Sequence, residues 1–366
     1  MRVTIADVAR LAGVSKATVS RVLNGRPDVD RATQARIEEI MAETGYVPSS
    51  RAVDLARGRT RTVGVLAPTL RTAWMPELLQ GVADVVEPSG YGMLLHSAAG
   101  GGPALERFAA SVRGHAVDGV LAVDPGAALD HLRDLHRQGL PVVVVDTVGV
   151  RAALPSVGAD YADGGRRAAE LLLAAGRLRL AMITGPAEEP TGAACADGFA
   201  DLLTGTGAVL RASHVTEADG TEQGGYDAVQ RLLRARLFFD GLFAHGDAMA
   251  AGALRALQEA GRQVPGEVAV VGFGDVPPAA YTVPPLTTVR VPWEEMGAAA
   301  ARSLIDRLRG EPVSDEPEVF ETSLVSRGST PPVGRIPGQR NRRAARTPEL
   351  PVFRASTSVP EPVPEL

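Results

Sequence analysis

The segment SKATVSR at residues 15–21 gathers side chains suited to molecular recognition. Ser15, Lys16, Ala17, Thr18, Ser20 and Arg21 are small or polar, and they fall on and around the first turns of a helix predicted over Lys16 to Leu23. In a DNA major groove, Arg or Lys donates to guanine O6 and N7, and Ala touches a thymine methyl. Hydroxyls suit phosphates, and the free N–H groups at a helix amino end accept one. The same residues could instead be cations solvating a helix surface, so the surrounding elements decide. Catalytic spacings are missing. There is no P-loop, GxGxxG, GxSxG, HExxH or CxxC, and His96, His115, His131, His136, His214 and His245 show no metal-ligand spacing. An enzyme is therefore not expected, and neither a cofactor nor a metal is predicted.

The elements that position SKATVSR are short. IADVARLA (5–12) places Ile5, Val8, Ala9 and Leu11–Ala12 near one helical face, and Gly13 breaks the pattern. Ser15 is a good N-cap for the second helix, which Asn24-Gly25 closes. Two helices joined by a glycine-bearing turn make a helix-turn-helix pattern. A third helix is predicted from Asp30 as N-cap to Gly45, carrying Ile37, Ile40 and Met41 inward. Ser49 could cap a short helix ending near Gly58, marginal on its own.

From Thr62 the texture becomes alternating strands and helices. Strands are predicted at 63–68, 92–96, 118–123 and 141–146, with helices near 75–87, 103–113 and 127–138. A second series has helices near 163–175, 191–204 and 247–260, with strands at 180–185, 241–247 and 268–275. Such alternation implies parallel sheets with right-handed crossovers, here two doubly wound lobes whose ligands bind beyond the carboxyl ends of the strands. The helix over 75–87 offers Leu78, Leu79, Val82, Val85 and Val86 to a lobe core and a dimer contact.

The 366 residues exceed one usual core, and the net charge of −5 is uneven. Residues 1–60 carry ten Arg/Lys against seven Asp/Glu; residues 331–366 carry six Arg against three Glu. Each end is thus +3 and the middle −11, so the head is the place for a polyanion. Cys195 is the only cysteine, which excludes an internal disulfide and fits a reducing cytoplasm. The start MRVTIADVAR is no signal peptide, and no apolar run approaches the ~20 residues of a membrane span.

TIADVARLAGVSKATVSRVLNGRPDV, followed by GYVP, closely resembles the headpiece of LacI/GalR regulators. The resemblance continues through VDGVLAV, LAMITGP…GF, HGDAMAAGALRAL, VPGEVAVVGFGD, PPLTTV and LVSRGST, covering nearly everything from 3 to 330. It implies a small all-α headpiece on an α/β, periplasmic-binding-protein-like body. It also implies a homodimer that binds a palindromic double-stranded DNA operator, with a small-molecule effector, a sugar or related metabolite, in the cleft. The implied division is a headpiece at 1–48, a hinge helix and linker at 49–61, an effector-binding and dimerisation body at 62–330, and a disordered tail at 331–366. Lobe 1 covers about 62–160 plus 290–318, and lobe 2 about 161–289 plus 319–330.

Matched to the family, Lys16, Ala17 and Arg21 read bases. Thr4, Ser15, Thr18, Ser20, Asn24 and Tyr46 position the headpiece on DNA. Leu55 is matched to a leucine that wedges between base steps; alternatively it packs under the body. In the cleft, Trp74 matches an aromatic wall or else a core residue, and Thr191 a polar contact. Asp247 is expected to touch ligand, to N-cap a helix, or both. Asp146, Asp160 and Asp275 complete the acidic set. Three departures stand out: Cys195 occupies the place of an effector-binding arginine, Gly274 that of an aspartate, and position 189 is Glu. A thiol cannot reproduce a guanidinium fork. The cleft therefore suits a neutral or positively charged ligand, or none, leaving a regulator with an unresponsive cleft as the rival reading and a solute-binding protein as a remoter one.

Overall fold

A computed structural model of the chain describes residues 3–23, 28–46, 60–145, 154–186 and 190–332. The amino-terminal unit has three helices, α1 (Ile5–Ala12), α2 (Lys16–Leu23) and α3 (Arg31–Thr44). Local chemistry sets each boundary. The amide and hydroxyl of Thr4 both donate to Asp7 Oδ2, at 3.1 and 2.7 Å, which starts α1. Gly13, at φ 68°, ends it, and the Val14 amide returns to the Ala9 carbonyl. Ser15 Oγ accepts the Thr18 amide at 3.1 Å and Asp30 Oδ1 the Thr33 amide at 2.9 Å, starting α2 and α3. Val8, Ala9, Ala12, Val19 and Ile37 form the buried core of this unit.

The body holds two six-stranded sheets. In the first, β1 (Thr62–Ala67), β2 (Gly92–Ser97), β3 (Gly119–Val123), β4 (Val142–Val145), β5 (Ser156–Ala159) and β11 (Glu318–Phe320) lie in the order β11-β5-β4-β3-β1-β2. In the second, β6 (Arg179–Thr184), β7 (Val209–Glu217), β8 (Gly241–Ala244), β9 (Ala269–Gly274), β10 (Thr287–Arg290) and β12 (Ser323–Val325) lie in the order β12-β10-β9-β8-β6-β7. Central strands such as β4, all valine, are buried along their length, as strands covered on both faces must be. The helices are α4 (Met75–Val86), α5 (Gly102–Arg113), α6 (Leu129–Arg137), α7 (Tyr161–Ala174), α8 (Pro190–Leu203), α9 (Glu222–Arg234), α10 (Asp247–Glu259) and α11 (Trp293–Arg309). On α4, Leu78, Val82 and Val86 are fully buried, while Leu79 and Val85 pack at the edge of the core.

The chain passes between the sheets near 160, 291–292 and 321–322, each time at the carboxyl ends of the strands. This corrects the expectation of wholly parallel sheets. After β11 the chain enters the second sheet from its carboxyl end, so β12 must run antiparallel to β10. Three helix pairs close to backbone contact through glycine. A Cβ on Gly81 would strike the Glu294 carbonyl, and one on Gly297 that of Leu78. The same reciprocity joins α7 to α8 through Gly165 and Gly198, and α9 to α10 through Gly225 and Gly252.

Candidate nucleic-acid interface and inter-lobe cleft

On α2, Val19 is fully buried and fixes the rotation of the helix. Lys16, Ala17 and Arg21 are consequently exposed, while Thr18 and Ser20 are half-buried. The Ser15 and Thr18 hydroxyls lie 3.0 Å apart, within the cap. Arg21 Nε stands 3.7 Å from Asp28 Oδ2, and both side chains are more than half exposed, at 58% and 57%. Thr4 caps α1, its bonds holding the Asp7 carboxyl below its ordinary pKa. Tyr46 packs partly against the headpiece core. Asn24 and Leu55 lie outside the described residues, as does Asp146 of the cleft.

The cleft differs from expectation in several places. Cys195 is not at the surface: it is fully buried on α8, where its carbonyl meets Gly165 of α7, and burial raises its thiol well above the ordinary value. It can neither touch a ligand in this arrangement nor act as a thiolate. Asp247 does not take the N-cap role expected of it. The N-cap of α10 is Gly246, and Asp247 follows it, 4% exposed. Its Oδ1 accepts the Thr288 hydroxyl at 2.5 Å and its Oδ2 the Val276 amide at 2.9 Å, so it ties α10 to β10 and to the loop after β9. Desolvation raises its pKa to about 6 against the lowering effect of those bonds. Asp160 is the N-cap of α7, accepting the Asp163 amide at 2.8 Å. Asp275 is paired with Arg327 at 2.6 Å rather than open to the cleft.

Trp74, half-buried ahead of α4, stacks on Trp293 with ring centroids 4.5 Å apart. The Trp293 indole N–H donates to the Gly274 carbonyl at 3.2 Å, joining the start of α11 to the end of β9. Sequence reasoning missed Trp293, although it lies just after the conspicuous PPLTTV. It also missed Asp124, the first residue after β3, whose backbone is left-handed at φ 38° and whose carboxyl burial raises in pKa. His245 packs by Phe273 and near Gly192, and desolvation lowers its pKa to about 4. Thr191 is half-buried on the first turn of α8. Among the described residues two buried hydroxyls have no hydrogen-bond partner: Thr72, two residues before Trp74, and Thr322, at the third crossing. Among the described residues no group of His, Cys, Asp and Glu could hold a metal ion, and no helix is long and apolar enough to cross a membrane.

A three-helix head with an exposed, polar second helix, joined to two doubly wound lobes, defines a DNA-binding transcription regulator of two-lobed type. Residues 4–49 match the model of bacterial regulatory proteins of the lacI family, and 169–330 that of a periplasmic binding protein-like domain. The chain is 32% identical to catabolite control protein A of Priestia megaterium over 314 residues, covering 86% of this chain and 95% of that one. It resembles the complex of the regulator CelR with cellobiose at 33% identity and a TM-score of 0.67, covering 90% of this chain and all of that one. It also resembles the lac repressor dimer bound to operator and the anti-inducer ONPF at 25% identity and a TM-score of 0.81, covering 90% and 99%. The chain therefore belongs to the lacI family of bacterial regulatory proteins.

Proposed function

We propose that this chain is a cytoplasmic repressor, without catalytic activity, that binds a palindromic operator as a homodimer. The carrying observation is α2: Val19 anchors it inward while Lys16, Ala17 and Arg21 project outward from a capped helix. In this reading those three residues read bases, and Thr4, Ser15, Thr18, Ser20, Asn24 and Tyr46 position the headpiece. Residues 1–48 form the headpiece, 49–61 the hinge and 62–330 the body. The lac repressor dimer bound to operator supports the arrangement by similarity. Selection from a randomised duplex pool with the full chain should enrich two related half-sites, and Lys16→Ala with Arg21→Ala should abolish the enrichment. A pool without paired half-sites would overturn the proposal.

The effector we infer is a sugar or related small metabolite bound between the lobes, beside Trp74, Thr191 and Asp124. The unpartnered hydroxyls of Thr72 and Thr322 favour it, because buried polar groups normally find a partner. The cellobiose complex of CelR supports the class. A second reading, a cleft that answers to no small molecule, draws on the internal commitment of Asp160, Asp247 and Asp275 and the burial of Cys195. Thermal-shift titration with cellobiose, other sugars, nucleosides and polyols separates the two, since a ligand of the folded state raises Tm with concentration.

A further inference from the structure

We propose that Asp28 is a specificity-determining positioning residue: it holds the Arg21 guanidinium so that its terminal amines face one base pair of each half-site. Arg21 extends from the exposed side of α2, and its Nε lies 3.7 Å from Asp28 Oδ2. Asp28 is itself well founded. Two residues later Asp30 caps α3 through the Thr33 amide, so Asp28 sits in the turn that leads into a packed helix. A carboxylate on the Nε side leaves both terminal amines for guanine O6 and N7, the bidentate pairing that carries discrimination.

Charge makes the placement costly for affinity. A carboxylate beside Arg21 of the reading helix opposes the phosphates that attract the rest of the headpiece. Nor does the pair stabilise the fold, since exposed ion pairs contribute little. What remains is geometry. A carboxylate beside Nε biases which edge of the guanidinium turns toward the bases, so that the arginine reaches fewer wrong acceptors. Affinity and specificity therefore respond to Asp28 in opposite directions, which a residue of merely structural importance would not produce.

This inference rests on Arg21 reading a base, as proposed above, and the test keeps the two apart. The full chain and its variants are titrated against the duplex selected from the randomised pool, against every single-base-pair substitution of one half-site, and against a scrambled duplex. Arg21→Ala is expected to abolish the preference at one base pair. Asp28→Ala and Asp28→Asn are expected to weaken the preference at that same base pair by about two- to tenfold while binding the scrambled duplex as tightly as wild type or more tightly. Asp28→Glu is expected to recover part of the preference. If Arg21→Ala leaves every preference intact, the reading role of Arg21 fails and the inference falls with it. If Arg21→Ala removes the preference but Asp28→Ala and Asp28→Asn keep it, or shift a different base pair, the inference alone is overturned.

Discussion

His245 lies just before α10 and Asp247 on its first turn, and burial shifts their pKa values in opposite directions. Burial raises the carboxyl of Asp247 to about 6 and lowers the imidazole of His245 to about 4. A carboxyl whose folded pKa exceeds its unfolded value of about 3.9 binds more protons in the folded state. Its contribution to stability is therefore lost as pH rises from 4 to 6. An imidazole whose folded pKa lies below about 6.5 binds fewer protons when folded, so its contribution grows as pH rises from 4 to 6.5. At about 1.4 kcal/mol per pKa unit, Asp247 costs about 3 kcal/mol across the window. His245 keeps part of its surface in water and returns about 2 kcal/mol. The two nearly cancel in the wild type. Asp247→Asn removes the fall due to Asp247: relative to wild type, its Tm should rise by about 4 °C between pH 4.5 and pH 6.5, because about 2 kcal/mol of the loss falls in that interval, at about 2 °C per kcal/mol. His245→Gln exposes the opposite slope, a relative loss of about 4 °C as pH rises over the same interval. Asparagine suits the site because its oxygen can accept the Val276 amide and its amide can donate to Thr288 Oγ1. Calorimetric Tm profiles of both variants, taken as differences from wild type, cancel every other titration. An Asp247→Asn profile parallel to wild type would refute the argument.

Four further outcomes are expected. Gly198→Ala forces a methyl onto the Ala162 carbonyl and should destabilise by about 1–2 kcal/mol, overpacking less the gain in helix propensity. Gly102→Ala, with open space around it, should cost nothing and add up to about 1 kcal/mol; equal effects in thermal melts would contradict the packing account. Leu55→Ala should lower operator affinity at least about tenfold in gel shifts while leaving the Tm of the body unchanged, and wild-type affinity would remove the hinge wedge from the proposed function. Trp293→Phe keeps the stack on Trp74 but leaves the Gly274 carbonyl only the Val291 amide, at 3.3 Å, a loss of about 1 kcal/mol; an unchanged Tm would show that the indole bond is unimportant to the body.

Much of this was legible in the sequence because the signals were local. Ser15, Asp30, Gly13 and Gly45 mark the headpiece helices by capping chemistry that needs no tertiary partner. The buried runs ending at Ala67, Val123 and Val145 mark strands by length and hydrophobicity alone. What escaped depended on distant neighbours. β5 is four residues long, β7 is an edge strand with polar residues interspersed, and β12 owes its direction to a crossing of the chain. The cleft was harder still. Nothing near Asp247 in the sequence shows that Thr288, 41 residues away, and the Val276 amide each bond one of its oxygens. Cys195 looks accessible until Gly165 lets α7 close over α8. Trp293 acquires its meaning from Trp74 and Gly274, neither of which is near it in sequence.

The successive strands β11 and β12, one in each sheet, govern when the body can be finished. Each sheet takes its last strand from within residues 318–325, so neither lobe closes until that stretch has left the ribosome. The headpiece is complete at α3, roughly 280 residues sooner, or on the order of 15–55 s at ordinary synthesis rates. A chain broken off before residue 318 carries an entire DNA-reading end on a body with two raw edges, β5 on one side and β10 on the other. Open edges of that kind pair with other chains. A late nonsense mutation is therefore expected to leave aggregated protein rather than a repressor permanently on its operator.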